Sequence, residues 1–353
     1  MPNAVVDLFC GVGGLTHGLQ LAGLNVVAGI DNEDSCEYAY TANNDARFIL
    51  ADITHVVAED ILPLYPENYT RILVGCAPCQ PFSKYTKRYR KDGNRDEKWK
   101  LLYDFSRLVG IVEPSIVAME NVPELANEAV FLDFVATLQN LNYHIYKDII
   151  YCPNYGVPQD RKRLVLLASR LGEISLIPPT HTQEDYITVR QAIGGLHPIT
   201  DGEVDAIDKM HQASRLSEIN RKRIRQSIPG GTWRDWDIEL QLPCHRRNTG
   251  RGYSSVYGRM YWDRPSPTIT TQFYGIGNGR FGHPEQDRAL SLREGAILQS
   301  FPPDYKFLKD GRIVNKRKLG TQIGNAVPVE LGRAIGLSII LNLEKAGLYH
   351  AEE

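Results

Sequence analysis

The sequence predicts an α/β fold, a doubly wound and mostly parallel sheet joined to a smaller irregular domain. Three observations carry that expectation. Short apolar, β-branched runs alternate with helical patterns through the first half, the rhythm stops near residue 175, and regular helix returns only over 329–347. Strand–helix alternation is the mark of crossover units, which cover both faces of a parallel sheet with helices.

The elements follow in order. "AVVDLF" (4–9) reads as a strand, and "GGLTHGLQLAG" (13–23) as a helix closed by a glycine. "NVVAGID" (25–31) is a second strand, "CEYAYTANN" (36–44) a helix, and "RFILADI" (47–53) a third strand. "RILVGC" (71–76) is a fourth, and a helix over "WKLLYDFSRLVGIV" leads into a fifth, "SIVAME" (115–120). "RLVLLAS" (163–169) is a further buried strand. The expected plan is an α/β domain over 1–175, an irregular domain over 176–320, and a C-terminal segment, 321–353, returning to the first. In such sheets ligands sit beyond the carboxyl ends of the strands, so residues there are the candidates.

Bulk composition narrows the classes. The 353 residues can bury a sizeable core, and 42% hydrophobic with 23% charged residues is ordinary for a soluble globular protein. No run of about 18 apolar residues appears, so a membrane span is excluded. The start "MPNAVVDLFCG" has no secretory pattern, and six cysteines without a leader suggest reduced thiols in a cytoplasm. A net charge of −2 gives no hint of nucleic acid, but the charge is not evenly spread.

Glycines in "DLFCGVGG" (7–14) follow the first strand directly, where backbone must approach a ligand closely. The third position of a dinucleotide fingerprint is taken by Thr16, and a Walker lysine is absent. The turn is therefore short and suits a nucleoside cofactor without phosphates, or is simply tight. Asp31, ending the second strand, is placed to bind ribose hydroxyls, and Asp52, ending the third, an adenine amino group.

"GCAPCQPFSK" (75–84) admits a redox pair, half a metal site, or one nucleophile beside a bystander. Zinc would need two further ligands, and no second C-x-x-C or H-x₃₋₅-H exists, so no metal is expected. Cys79 ends the fourth strand beside the glycine turn, which suits a nucleophile, while Cys76 and the other four cysteines read as buried and structural. "MENV" (119–122) puts Glu120 on the same sheet edge, and "QDRKR" (159–163) offers Gln159, Arg161 and Arg163 on one face of an extended segment. A thiol, an acid and guanidinium groups at one edge beside a nucleoside site form a specific constellation.

With these residues the chain resembles the cytosine-5 DNA methyltransferases, in the stand-alone form of bacterial or phage modification enzymes. Six blocks run in the family's order: "DLFCGVGGL", "GCAPCQPFS", "ENV", "QDRKR", "LSLREGAILQSFP" (290–302) and "QIGNAVP" (322–328). The resemblance implies an S-adenosylmethionine-dependent methyltransferase fold with Cys79 as nucleophile, Glu120 as acid, and Arg161 and Arg163 holding the target base. It implies a cofactor site lined by Phe9, Gly11, Gly13, Gly14, Leu15, Asp31, Asn32, Asp52, Ile53, Pro78, Leu101, Asn325 and Val327. Asn32 departs from the aromatic or apolar residue usual there.

The implied reaction methylates C5 of a flipped-out cytosine in a specific duplex DNA sequence, through a covalent adduct at C6. The implied partner is duplex DNA, with no membrane, a monomeric enzyme in the cytoplasm, and room for a companion restriction endonuclease. A tRNA cytosine methyltransferase and a non-catalytic nucleic-acid-binding homologue are the rival readings. Two basic stretches fit the DNA reading. Residues 83–100 carry eight Lys/Arg against three acids, as a closing loop would, and 215–251 carry nine against four, interleaved with Trp233 and Trp236. The latter is the expected target-recognition region.

Overall fold

The computed structural model describes residues 2–78, 100–247, 252 and 254–349. They fall into two compact units: Met1–Tyr155, Lys162–Thr180 and Val327–Glu353 form the first, and Gly156–Arg161 with His181–Ala326 the second.

The first unit is a seven-stranded sheet. Its strands are β1 (Asn3–Leu8), β2 (Val26–Asp31), β3 (Arg47–Leu50), β4 (Thr70–Gly75), β5 (Ile116–Asn121), β6 (His144–Tyr151) and β8 (Lys162–Ser169). They lie in the order β3-β2-β1-β4-β5-β8-β6. β1 to β5 run parallel, and β8 is antiparallel to both β5 and β6. The expected doubly wound, mostly parallel sheet is therefore present. Its order reverses at β1, whose neighbours are β2 and β4, and this makes the carboxyl ends of β1 and β4 the switch point where ligands bind.

Local chemistry explains the elements. All six residues of β1 and of β5 are buried, as expected of strands covered on both faces. The helix Lys100–Val112 buries Leu102, Phe105, Leu108, Val109 and Val112, and Ala129–Asn140 buries Val130, Phe131, Phe134, Val135 and Leu138. Both sets recur at helical spacing and join the main apolar core. β6 was not expected: "HIYKDIIY" is mostly exposed and lies at the sheet's edge, where Lys147 and Asp148 discourage pairing with another chain.

Three boundaries differ from expectation. β3 ends at Leu50, so Asp52 lies in the turn beyond it. β4 ends at Gly75, so Cys76–Pro78 already form loop, and Cys79 lies outside the described residues. The second helix is a single 3₁₀ turn, Asp34–Cys36, followed by Glu37–Thr41.

The helix Gly14–Leu21 packs on the C-terminal helix Val329–Lys345 through glycines. A Cβ on Gly18 would lie 2.3 Å from the Val329 carbonyl oxygen and 2.5 Å from the Arg333 nitrogen. The C-terminal helix is further tied down by Ser169 Oγ donating to Asn342 Oδ1 at 2.7 Å, and by Asn342 Nδ2 donating to the Glu173 carbonyl at 2.9 Å. Contrary to the reading of apolar runs, the stretch Lys316–Lys345 has the length and composition to cross a membrane; 72% of its most apolar window is buried within the protein, as in a core helix.

The second unit has little regular structure: two-residue strands β7 (Gln159–Asp160) and β9 (Ser266–Pro267), and short helices such as Glu218–Gln226 and Leu292–Leu298. Buried guanidinium groups organise it. Arg259 donates to the carbonyls of Ser227, Ile224, His283 and Gln286 and pairs with Asp287. Fully buried Arg288 grips Glu294 with two bonds, at 2.8 and 2.7 Å. One fork satisfies several carbonyls that an irregular backbone would otherwise leave unpaired.

The helix contact gives a test of the packing. Gly18→Ala should cost about 1–3 kcal/mol, because the obstacle is backbone that cannot rotate away. Gly110→Ala, in Lys100–Val112 with nothing within 4 Å of the new Cβ, should instead gain about 0.5–1 kcal/mol. Urea unfolding of both variants reads the difference, and equal shifts of the same sign would refute the close approach.

Candidate active site

The turn after β1 holds an uncommon backbone. Phe9 adopts φ 60°, Gly11 52° and Gly13 88°, all in the left-handed region, before the helix Gly14–Leu21 begins. Gly11 N–H donates to Asp31 Oδ2 at 2.8 Å, and Glu33 N–H donates to Asp31 Oδ1 at 2.9 Å. Burial raises the Asp31 carboxyl above its ordinary value, while these N–H groups hold it down. A Cβ on Gly11 would meet nothing within 4 Å, so open space lies beside the turn. Leu15 and Ile53 are buried, Leu101 packs partly on the core, and Asn32 and Pro78 are exposed. Asp52 is exposed, and its Oδ1 accepts from the N–H and hydroxyl of Thr54, which keep its carboxyl below the usual value.

A second cluster lies at the ends of β5 and β8. Because β8 runs against β5, its first residues sit beside β5's last, with Glu120 opposite Val165 and Asn121 opposite Leu164. Glu120 is only 2% exposed. Arg163 Nε lies 2.8 Å from Oε1, an ion pair without hydrogen-bond geometry, so that Oε1 has no hydrogen-bond partner among the described residues. Cys76 Sγ donates to the other oxygen, Oε2, at 2.9 Å. Asn121 Nδ2 donates to the Ala77 carbonyl at 3.0 Å and fastens the loop after β4 to the end of β5. The loop that leads into Cys79 and the buried carboxylate are thus held side by side.

The relatives of this chain decide what such a site belongs to. The family model of C-5 cytosine-specific DNA methylases matches residues 3–341. The chain is 55% identical over 347 residues to the Type II methylase M.HgiDII of Herpetosiphon aurantiacus, across 98% of this chain and 97% of the relative. It is 30% identical over 358 residues to the Type II methyltransferase M.Eco47II of Escherichia coli, across 97% and 79%. The chain belongs to this family. It is a DNA (cytosine-5-)-methyltransferase. Solved structures agree in fold: a DNA modification methyltransferase encoded within an E. coli prophage at TM-score 0.72 and 21% identity, covering 97% of this chain and 99% of that one, and S. pombe Dnmt2 at 0.63 and 17%, covering 98% and 99%.

Other expected features of the methyltransferase distribute differently. Gln159, Arg161 and Arg163 meet different partners. Gln159 and Arg161 belong to the second unit: Arg161 Nη1 donates to Gln159 Oε1 and the Ile269 carbonyl, both at 3.2 Å, and Gln159 Nε2 bonds the Leu298 carbonyl and Gln299. Arg163 belongs to the first unit and to Glu120. Asn325 is exposed at the end of Lys316–Asn325 in the second unit, and Val327 is buried in the first. Trp233 and Trp236 are not on the surface; they pack with Leu240, and Trp233 stacks on His245 at 4.4 Å. Cys244 is exposed rather than structural. Cys79 and residues 83–99 of the expected closing loop lie outside the described residues.

One buried acid beneath the glycine turn was not anticipated. Asp7, 1% exposed in β1, accepts from Thr16 Oγ1 at 2.7 Å through Oδ2, while Oδ1 has no partner among the described residues. Burial pushes its carboxyl up to about 7, the Thr16 hydroxyl opposes this, and the charge of Asp31 adds to it. The only sequence signal was an acid inside an otherwise apolar strand. The folded protein holds this proton more tightly than the unfolded chain does, so the contribution of Asp7 is complete below about pH 4 and is lost as pH rises through about 7. Asp7→Asn should abolish that decline, gaining on the wild type by about 2–3 kcal/mol between about pH 5 and pH 8. Denaturant unfolding at the two pH values checks this; parallel pH dependences would mean that Asp7 ionises as an ordinary carboxylate.

Proposed function

We propose that this enzyme transfers the methyl group of S-adenosylmethionine to C5 of a cytosine rotated out of a specific duplex DNA sequence, through a transient bond between Cys79 and C6. The observation that carries the reading is Glu120: a buried carboxylate, charge-paired with Arg163, whose Oε1 lacks a hydrogen-bond partner among the described residues. A buried acceptor without a donor is costly, and the N4–H of a bound cytosine, or N3 once it has taken up a proton, would satisfy it.

The turn after β1 fits the cofactor. Its left-handed residues, the open space beside Gly11 and the buried Asp31 suit a nucleoside, and the turn is too short to cradle a diphosphate. Phe9, Gly11, Gly13, Gly14, Leu15, Asp31, Asn32, Asp52, Ile53, Pro78, Leu101, Asn325 and Val327 would hold S-adenosylmethionine, which supplies the electrophilic methyl group that C5 takes up.

The chain's own groups do the rest. Cytosine C5 is a poor nucleophile, so the Cys79 thiolate adds at C6 and pushes electron density toward C5 and N3. Glu120 bonds at N3 and stabilises the charge that gathers there, and Arg163 serves O2. Loss of the C5 proton then expels the Cys79 thiolate and restores the ring. Arg161 would help to hold the base. Residues 176–320 would choose the sequence, and 1–175 with 321–353 would carry cofactor and chemistry. The enzyme would act as a cytoplasmic monomer, with a companion restriction endonuclease as its functional partner.

DNA carrying 5-fluorocytosine blocks proton loss and traps the adduct. With cofactor present, the wild type should give a denaturation-resistant complex and Cys79→Ala none; an adduct on Cys79→Ala would overturn the assignment. Glu120→Gln should lower turnover by about 10²-fold while DNA binding holds. Equal losses in both would mark Glu120 as structural. The same assay on tRNA should stay negative, and methylation of tRNA in preference to duplex DNA would favour the rival substrate.

Exchanging residues 176–320 for the matching segment of a relative with another target should carry sequence choice with it. Bisulfite sequencing of DNA from expressing cells reads the outcome, and an active chimera that keeps the original site would defeat the proposal.

A further inference from the structure

Cys76 is the first residue beyond β4 and is half-buried. Its thiol donates to Glu120 Oε2 at 2.9 Å, while Arg163 Nε faces Oε1 at 2.8 Å. These are the titratable and charged groups that the described structure places against the Glu120 carboxylate, one from the loop after β4 and one from β8. The loop itself is braced, since Asn121, the residue after Glu120, donates to the Ala77 carbonyl.

The terminal torsion of a glutamate is broad, so the plane of its carboxyl group is the least determined part of the side chain. A single charged partner at Oε1, without hydrogen-bond geometry, sets distance but leaves that plane free to turn. A second contact at Oε2 fixes it. A thiol is also a weak donor, so it orients the carboxylate without saturating it.

We propose that Cys76 is a positioning residue of the methyl-transfer reaction: its thiol holds Oε2 of Glu120 and so turns Oε1 toward N3 of the target cytosine. This rests on the function proposed above. Reaction rates are steep in such orientation, because a misaligned acid must first reorganise. Cys76 touches neither base nor cofactor in this scheme and acts through Glu120 alone. A purely space-filling Cys76 would make the opposite demand, since alanine would then serve as well as serine.

The test is single-turnover adduct formation on duplex DNA containing 5-fluorocytosine, with cofactor, alongside DNA affinity and thermal unfolding of each variant. Cys76→Ala should slow adduct formation by about 10-fold, the size of one lost bond to a charged group, with DNA affinity unchanged. Cys76→Ser keeps a donor and should recover most of the rate. In the Glu120→Gln background, Cys76→Ala should add no further loss, because the group it positions is already disabled. Cys76→Val, a donor-free side chain of similar size, carries the comparison if the alanine variant does not fold. Equal rates for the alanine or valine variant and the serine variant, or losses that multiply in the double variant, overturn the proposal. An unimpaired Glu120→Gln would instead sink the function on which it rests.

Discussion

A carboxylate with 2% exposure must find its compensation inside the protein, and Glu120 finds it because β8 runs backwards. Were β8 parallel to β5, its first residues would emerge at the opposite edge of the sheet, and Arg163 could not reach the end of β5. The reversal brings guanidinium to carboxylate, and the two strands then share six register pairs that keep the geometry rigid. Such a pair adds little net stability, since desolvating two charges offsets most of their attraction. Its value is that the acid stays in place while one oxygen remains available. The C-terminal helix supports the arrangement at the far end of β8, where Ser169 bonds Asn342. That helix in turn reaches the element after the β1 turn through the glycine contact with Gly14–Leu21. The edge that carries Glu120 and the turn after β1 thus depend on one apolar helix.

Much of this was legible in the residues. Buried parallel strands announce themselves as short β-branched runs, and β1, β2, β4 and β5 were found that way, with Asp31 and Glu120 at their ends. What failed had physical reasons. β3 was read to residue 53 because "RFILADI" is apolar almost throughout, yet its ladder stops at Leu50, and Asp52 turns to serve Thr54. β6 was missed because an edge strand carries charge and loses the apolar signal. The direction of β8 left no trace in its composition, since a strand buried on both faces reads alike whichever way it runs. Cys76 was read as filler because spacing says nothing of which side chain meets a carboxylate.

The second unit shows the limit more sharply. Arginine with tryptophan, as in 215–251, reads as a nucleic-acid surface, and the structure divides that stretch by burial. Arg223 lies at 5.4 Å over Tyr257 and donates to the Leu240 carbonyl, while Trp236 donates to Ser227. These residues build the unit. Arg225, Arg234, Arg246 and Lys222 remain exposed, and exposed side chains of this kind are the ones within reach of a phosphate or a base edge. Composition counts both sets alike, because a guanidinium suits a carbonyl cage as well as it suits a phosphate.

That double use bears on how such a unit keeps its order. A domain without long strands or helices cannot rely on backbone ladders, so its order depends on side chains that close carbonyls one by one, as Arg259 and the Arg288–Glu294 pair do. Glu294 illustrates how firmly they are held. Burial alone would raise its carboxyl, but Arg288, His283 and the Ser291 N–H bring it down to about 2. With the interior fixed by these cages, exposed arginines can change without loosening the fold. The surface can then vary while the buried cations stay put, and a charge count over the whole region measures neither.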